Sequence, residues 1–425
     1  MKSKLIFLST MFFAGINLLA QSNKDTMLAC NSSFISGKVI LDNYTTYTGI
    51  IRLGNNDLLW SNFFSSKLAN NENSRFIPES VLMTRKNYSE TSLRWIVGIP
   101  FRDNSIKPYN PYFICDYGVI SSIKRDKRNI NLQLQNGDTI TLIDKTGDFA
   151  FDVYVYSGMT DDPVKIKWNR VIKIEFNKSL NYTSGNLGNV LFGEIRSQES
   201  SLTGVIDWDE QEKTDADQLN GRNSEGTFKI PFNQIVSIAN SNKKGIIKLK
   251  SGSSITATAN VLELFADYSN DLGYENRGII LSNPSIGKIC YKWGQFKEIS
   301  FAEPLKTELS AINSFPAPKR LSGEIKTKNG NTYKGVFTYN IYKERNTDYL
   351  FGNNIHGLNH AIPFWNISKI EPKNEQFTLI YFNNNEKIIL GNSPDVTYEN
   401  DGIIVFDKEP IYISWNNISE ININN

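Results

Sequence analysis

One phrase recurs six times along the chain and governs what it can fold into. An alternating apolar strand ends in an aromatic residue, and two more apolar residues follow at steps of three. The copies are Tyr117–Ile120–Ile123, Trp168–Val171–Ile174, Phe232–Ile235–Ile238, Trp293–Phe296–Ile299, Phe364–Ile367–Ile370 and Trp415–Ile418–Ile421. A step of two keeps side chains on one face of a strand. A step of three is the period of a single 3₁₀ turn. In the last copy Ile411, Ile413 and Trp415 alternate, the step becomes three as far as Ile421, and it returns to two at Ile423. The phrase predicts a strand running in, a tight corner that keeps its apolar residues inward, and a strand running out. A small β-barrel or sandwich needs such corners. Six aromatics could instead be platforms for sugars or bases. The apolar residues at both following steps are what a core requires and a platform does not.

The chain also repeats on a longer scale. Gly49, Gly204 and Gly335 are each preceded by another glycine, Gly37, Gly193 and Gly323, so that "SGKVILDNYTTYTGII", "FGEIRSQESSLTGVI" and "SGEIKTKNGNTYKGVF" are one hairpin written three times. Asn329-Gly330 in the third copy predicts a type I′ turn. Counting from the central glycine, Leu53 matches Trp208 and Tyr339, and Asn62 matches Asp217 and Asp348. The second halves carry alternating strands at 130–142, 245–257 and 377–390, and "YENRGII" (274–280) returns as "YENDGII" (398–404). The first repeat departs there, with "GDFAFDVYVY" at 147–156.

The expected fold is therefore all-β: three tandem repeats, each of two small five-stranded barrel-like or sandwich modules. They span 34–176, with an insertion at about 67–113, then 190–301 and 320–424. A proline-bearing linker, 303–319, separates the last two and carries a hint of helix from Leu305 to Ile312. Modules this small bury too little surface to stand alone, so the halves of a repeat should share an interface.

The glycine hairpin followed by I-x-W-x-x-I-x-x-I resembles small barrels of the SH3-like and Sm-like kind. "TGIIRLGNNDLLWSNFF" (48–64) and "TGVIDWDEQEKTDADQLNG" (203–221) look like a repeat of secreted bacterial envelope proteins with no known activity. The resemblance implies architecture and supplies no catalytic residue.

The first twenty residues read as a signal peptide: Lys2 and Lys4, an apolar run from Leu5 to Leu19, and a cleavage point at Ala20-Gln21. The expectation is export to the periplasm, the cell surface or the medium. Removing Lys2 and Lys4 leaves 44 basic against 44 acidic residues. A neutral chain argues against nucleic acid or anionic membrane as partner. No later run reaches the ~20 apolar residues of a membrane helix. Three cysteines, Cys30, Cys115 and Cys290, allow one oxidised pair and leave one thiol, with the pairing open. Cys115 is in phase with Phe113 and Tyr117, which predicts a core position. "MLAC" (27–30) resembles a lipobox, but the polar "QSNKDT" before it argues against a lipid anchor at Cys30.

No catalytic constellation emerges. His356 and His360 have the spacing of a zinc pair on a helix, but "FGNNIHGLNHAIPF" reads as a loop without an acidic or cysteine partner. The acidic run at 207–221 invites calcium through Asp215, Asp217 and Asn220. However, Asp217 matches Asp348 and Asn62, which points to turn chemistry, an Asx turn, repeated three times. No metal site and no cofactor are expected. A glycosidase needs two facing carboxylates, and no carboxylate is read as standing within an apolar strand. There is no G-x-S-x-G elbow, P-loop or dinucleotide fingerprint.

The least repetitive stretch is the place to look for binding. Central glycine to aromatic corner runs from Gly49 to Tyr117 in the first repeat, about 40 residues more than from Gly204 to Phe232. The excess mixes basic and aromatic residues: Arg75, Arg85, Arg94, Trp95, Arg102, Tyr109 and Tyr112. Such a surface suits a protein or glycan contact; the plainer reading is extra structure covering an open sheet edge. The functional expectation is an exported, non-catalytic structural or binding protein of a bacterial envelope. The alternative is a secreted hydrolase acting on glycan or peptide.

Overall fold

The structure is a computed structural model. It describes residues 33–54, 56–79, 111–126, 129–143, 151–158, 162–180, 187–198, 200–223, 226–241, 244–250, 261–265, 271–273 and 276–424. The protein is all-β, with one short helix, α1 (Lys306–Ile312), among the described residues.

All six apolar phrases form the corner their spacing requires. One-turn 3₁₀ helices begin at Tyr117, Trp168, Phe232, Trp293, Phe364 and Trp415, and every one of these aromatics is buried. In five of the six, the N–H of the next apolar residue donates back to the aromatic's carbonyl, as Ile418 does to Trp415. The apolar residues at both later steps are buried in all six copies.

The strands fall into three successive units. The first holds β1 (Ser36–Leu41), β2 (Thr46–Leu53), β3 (Phe63–Lys67), β4 (Tyr112–Asp116), β5 (Ile120–Asp126), β6 (Asn129–Leu134), β7 (Thr139–Ile143), β8 (Asp152–Tyr156), β9 (Val164–Lys167) and β10 (Val171–Phe176). The second holds β11 (Phe192–Arg196), β12 (Ser201–Asp207), β13 (Gln218–Asn223), β14 (Gly226–Pro231), β15 (Ile235–Ser241), β16 (Lys244–Leu249), β17 (Val261–Phe265), β18 (Ile279–Asn283), β19 (Gly287–Tyr291) and β20 (Glu298–Phe301). The third holds β21 (Ser322–Thr327), β22 (Thr332–Tyr339), β23 (Tyr349–Asn353), β24 (Asn359–Pro363), β25 (Ile367–Pro372), β26 (Phe377–Phe382), β27 (Lys387–Gly391), β28 (Ile403–Phe406), β29 (Pro410–Ile413) and β30 (Ile418–Ile423).

In the first unit the antiparallel order is β7-β6-β5-β10-β1-β2-β8-β9. The second unit pairs β17-β16-β15-β20-β11-β12-β18-β19. The third pairs β27-β26-β25-β30-β21-β22-β28-β29. β3–β4 and β13–β14 are separate hairpins, whereas the β23–β24 hairpin is joined to the main sheet, β23 to β27 through Asn353–Gly391 and β24 to β19. This differs from the expected pair of five-stranded modules per repeat. In each unit the first strand pairs with the last, so both halves are threaded into one sheet. The first unit's sheet has eight strands, those of the second and third run together into one of eighteen, and none closes into a barrel among the described residues. The sheet wraps a single core: Ile140 near one edge and Ile166 at the other share a cluster with Val39 and Ile174. Separate cores fill the second and third units. Where the first repeat departs in sequence, β8 still pairs with β2 as β18 does with β12 and β28 with β22.

The glycine pairs face one another: Gly37 with Gly49, Gly193 with Gly204, Gly323 with Gly335. A Cβ on Gly323 would lie 2.0 Å from the Asn422 carbonyl oxygen, and the same clash recurs at Gly37 and Gly193. The last strand can cross this closely only over a bare backbone. Gly323→Ala should destabilise the chain by about 2 kcal/mol, because strand β30 must move to admit the methyl. A urea midpoint unchanged from wild type would contradict this.

The turn at Asn329-Gly330 is not type I′. Gly330 is left-handed and Asn329 is not, and Thr327 N–H donates to Asn331 O at 3.0 Å. This is the longer turn ending in a left-handed residue and a bulge. The first unit makes the same turn with Tyr44 at φ 63°, its ring 82% exposed. Tyr44→Gly should therefore stabilise by up to ~1 kcal/mol, relieving a conformation unfavourable to a side chain; a fall in melting temperature would refute it.

The repeated Asn62, Asp217 and Asp348 are turn residues, but they reach backwards rather than forming Asx turns. Asn62 Oδ1 accepts from the N–H groups of Leu58 and Leu59. Asp217 Oδ2 accepts from Lys213 and Thr214, and Asp348 Oδ2 from Glu344 and Arg345. Their carbonyls then accept the N–H of the corner aromatics Tyr117, Phe232 and Phe364.

Candidate functional site at the junction of the units

Several contacts among the described residues join the units. A cluster containing Ile50, Tyr156, Val205 and Leu309 packs the first unit on the second around α1. The second and third share strands, with β19 pairing β24 through Lys288–Ala361, Ile289–His360 and Cys290–Asn359. The described part of the long insertion is a strap onto the third unit, where Phe76 and Ile77 pack with Ile341, Ile404, Phe406 and Tyr412. Asn73 Nδ2 donates to Glu344 Oε1 there at 2.6 Å.

At the centre, one side chain from each unit meets. Asp116 ends β4, Lys288 lies on β19 and Tyr349 begins β23; they are 2%, 5% and 2% exposed. Lys288 Nζ lies 2.5 Å from Asp116 Oδ1 and also donates to Ser61 O. The Tyr349 hydroxyl donates to Asp116 Oδ2. The Lys288 ammonium stands 3.5 Å from the Phe63 ring centroid, and that ring meets Tyr349 edge-on at 4.8 Å. Burial pushes Asp116 above its ordinary range, opposed by the Lys288 charge. Burial and the Asp116 charge push the Tyr349 hydroxyl far above its ordinary value. A phenol held so firmly protonated is neither base nor nucleophile at neutral pH, and the lysine's donors are committed. The geometry makes a lock rather than a reaction centre. A cleft of about 400 Å³, counting its open mouth, lies over it, lined by Ser282, Asn283, Phe315, Trp365 and Asn366 among others.

The expectation that no carboxylate stands within an apolar strand is overturned by Asp116, in "YFICD". The signal was a departure from the repeat. Asp116 stands where the other units have Pro231 and Pro363, one place before the corner aromatic. Lys288, five before Trp293, stands where the others have Pro163 and Pro410.

Of the seven insertion residues, Arg75 and Tyr112 are described, and they join different clusters. Arg75 is exposed, its guanidinium 4.6 Å from the Phe76 ring centroid. Tyr112 is buried with Ile114, Ile280 and Phe351 between the units, Lys67 Nζ 5.5 Å from its ring centroid. Arg85, Arg94, Trp95, Arg102 and Tyr109 lie outside the described residues, as do Cys30 and residues 1–20. Cys115 and Cys290 are buried thiols outside any disulfide. Burial pushes Cys290 up to about 12 and Cys115 well above its usual value, so neither is a nucleophile. His356 is exposed in a loop, while His360 is buried in β24. Neither His360 nitrogen has a hydrogen-bond partner, and burial lowers it to about 4. No described helix is long and apolar enough to cross a membrane. Comparison with protein-family models and with curated proteins yields no match.

Proposed function

We propose that this chain is an exported, non-catalytic binding or structural protein of a bacterial envelope, acting as one rigid three-unit body toward a protein or glycan partner. The observation that carries the reading is the buried Asp116–Lys288–Tyr349 lock, which takes one residue from each unit and leaves no reactive group free. The same economy holds elsewhere. Asp57 accepts from the Tyr117 hydroxyl at 2.9 Å, and Asp207 from Lys213 Nζ at 2.9 Å and Asn62 Nδ2 at 2.8 Å. These carboxylates are spent on holding the fold, within a unit at Asp57 and across two units at Asp207, which favours a scaffold over the hydrolase alternative. The leader-like N-terminus and neutral net charge support export and a partner other than nucleic acid.

The test expresses the full chain in a bacterial host. The expected result is a mature product lacking the first twenty residues outside the cytoplasm, saturable binding to isolated envelope fractions, and no turnover of glycan or peptide substrates. Cytoplasmic retention, or turnover that survives purification, would overturn the reading.

A further inference from the structure

The second and third units build the same tight loop before their middle hairpin and fill it with opposite charge. In the third unit, Tyr339 and Lys343 exchange backbone hydrogen bonds across a loop whose Asn340 and Ile341 are left-handed. The Lys343 ammonium bonds the Asp395 carboxylate, and Asn340 Nδ2 donates to Asp395 Oδ1 at 2.9 Å. In the second unit, Trp208 and Glu212 make the same backbone exchange around left-handed Asp209 and Glu210. The counterpart of Asp395 is Asp271, and the surrounding bonds match one for one. Trp208 Nε1 and Asn276 Nδ2 donate to Asp271 O, as the Tyr339 hydroxyl and Asn400 Nδ2 donate to Asp395 O. Asn220 N–H donates to Asp271 Oδ2 as Phe351 N–H does to Asp395 Oδ2. The backbone is thus held in common while Lys343 becomes Glu212 and Asn340 becomes Asp209.

That exchange removes a built-in cation and gathers three carboxylates. One oxygen from each of Asp209, Glu212 and Asp271 lies within 4.8 Å of the others. Asp209 and Asp271 are buried, and Glu212 Oε2 is enclosed with no hydrogen-bond partner. Arg277 makes its ion pair with Asp209, Nη2 2.9 Å from Oδ2, and its charge is shared more weakly with Glu210, Glu212 and Asp271. Lys213 is spent on Asp207, and Glu210 adds a further acid beside the loop. Asn220 also donates its Nδ2 to Asp271 at 2.8 Å.

We propose that Asp209, Glu212 and Asp271 hold a hard divalent cation, calcium by preference, in the place that the Lys343 ammonium takes in the third unit. All-oxygen, carboxylate-rich donor sets suit calcium and magnesium rather than softer metals. The residues differ from those the acidic run offers to a linear reading. Asp217 is spent on its turn, and Asp215 accepts from the Asn189 N–H at 2.7 Å.

The test uses the full chain, stripped with EDTA and titrated with CaCl₂, and separately with MgCl₂, at pH 7. Expected are saturable heat with a midpoint on the order of 0.1–1 mM calcium and a dose-dependent rise in melting temperature. Glu212→Lys copies the third unit, and should melt in EDTA no lower than wild type while losing the calcium response. Asp209→Asn, copying Asn340, should weaken calcium binding at least tenfold. If calcium to about 10 mM gives neither heat nor melting shift, or if wild type and both variants respond alike, the proposal falls and the cluster is held by protons alone.

Discussion

Lys288→Met is expected to cost about 3–5 kcal/mol, the loss seen when one partner of a buried ion pair is removed. The methionine keeps the alkyl stem but takes the ammonium from Asp116, which is 2% exposed and left with the Tyr349 hydroxyl as its remaining side-chain partner. The variant also loses the ammonium's contact with the Phe63 ring, worth up to ~2 kcal/mol when desolvated. Because the three members come from three units, the loss should appear as separation before unfolding. Limited proteolysis should cut earlier near α1, and the melting curve should broaden. Adding Asp116→Asn should recover a large part of the loss, since a neutral amide can be buried beside Tyr349 at lower cost. A single variant within about 1 kcal/mol of wild type would mean that the lock is not holding the units.

His360 should make the protein acid-sensitive in a defined window. Its folded value is lowered by burial to about 4 from the ordinary 6.5. Between those values the unfolded chain binds a proton that the folded chain refuses, so stability rises with pH there. The contribution is fully present above about 6.5, is lost as pH falls, and levels off below about 4; it amounts to about 3 kcal/mol. Buried acids run the other way, among them Asp57 and Asp348, each raised to about 6 by burial. The His360 share is therefore isolated as a difference from His360→Phe, which installs the aromatic found at Phe113 and Phe228 on the equivalent strands β4 and β14. The difference in unfolding free energy between variant and wild type should grow as pH falls from 7 to 4. A difference that stays flat over that range would show that His360 is not buried neutral.

The parts of this fold that were legible are those whose cause is local. A corner such as Trp415–Ile418–Ile421 is specified by three residues within one turn, and the glycine pair Gly323–Gly335 by one hairpin. The eight-strand order was not legible, because β1–β10 and its counterparts join segments far apart, and alternation alone does not say which strand is the partner. The α1 helix was visible because Leu309 and Ile312 sit one turn apart on one buried face. The lock was hidden for a different reason. Aligning the repeats on one another brings out what recurs, such as Asn62, Asp217 and Asp348, and passes over what occurs once. Asp116 and Lys288 occur once, each at a position that is otherwise proline. The acid cluster was hidden because Asp271 is remote in sequence from Asp209 and Glu212.

The pairing of the first strand of each unit with its last has a consequence for how the chain is made. No unit can complete its sheet until its final strand leaves the ribosome, and non-local pairing of this kind is slow. The lock waits longer still, since Asp116 gains Lys288 only with the second unit and Tyr349 only with the third. From its last strand until those arrive, the newborn first unit must therefore stand with a charge at its surface that maturity will enclose. That unfinished face keeps the early unit hydrated and separate, and the arrival of the third unit converts three independent bodies into one.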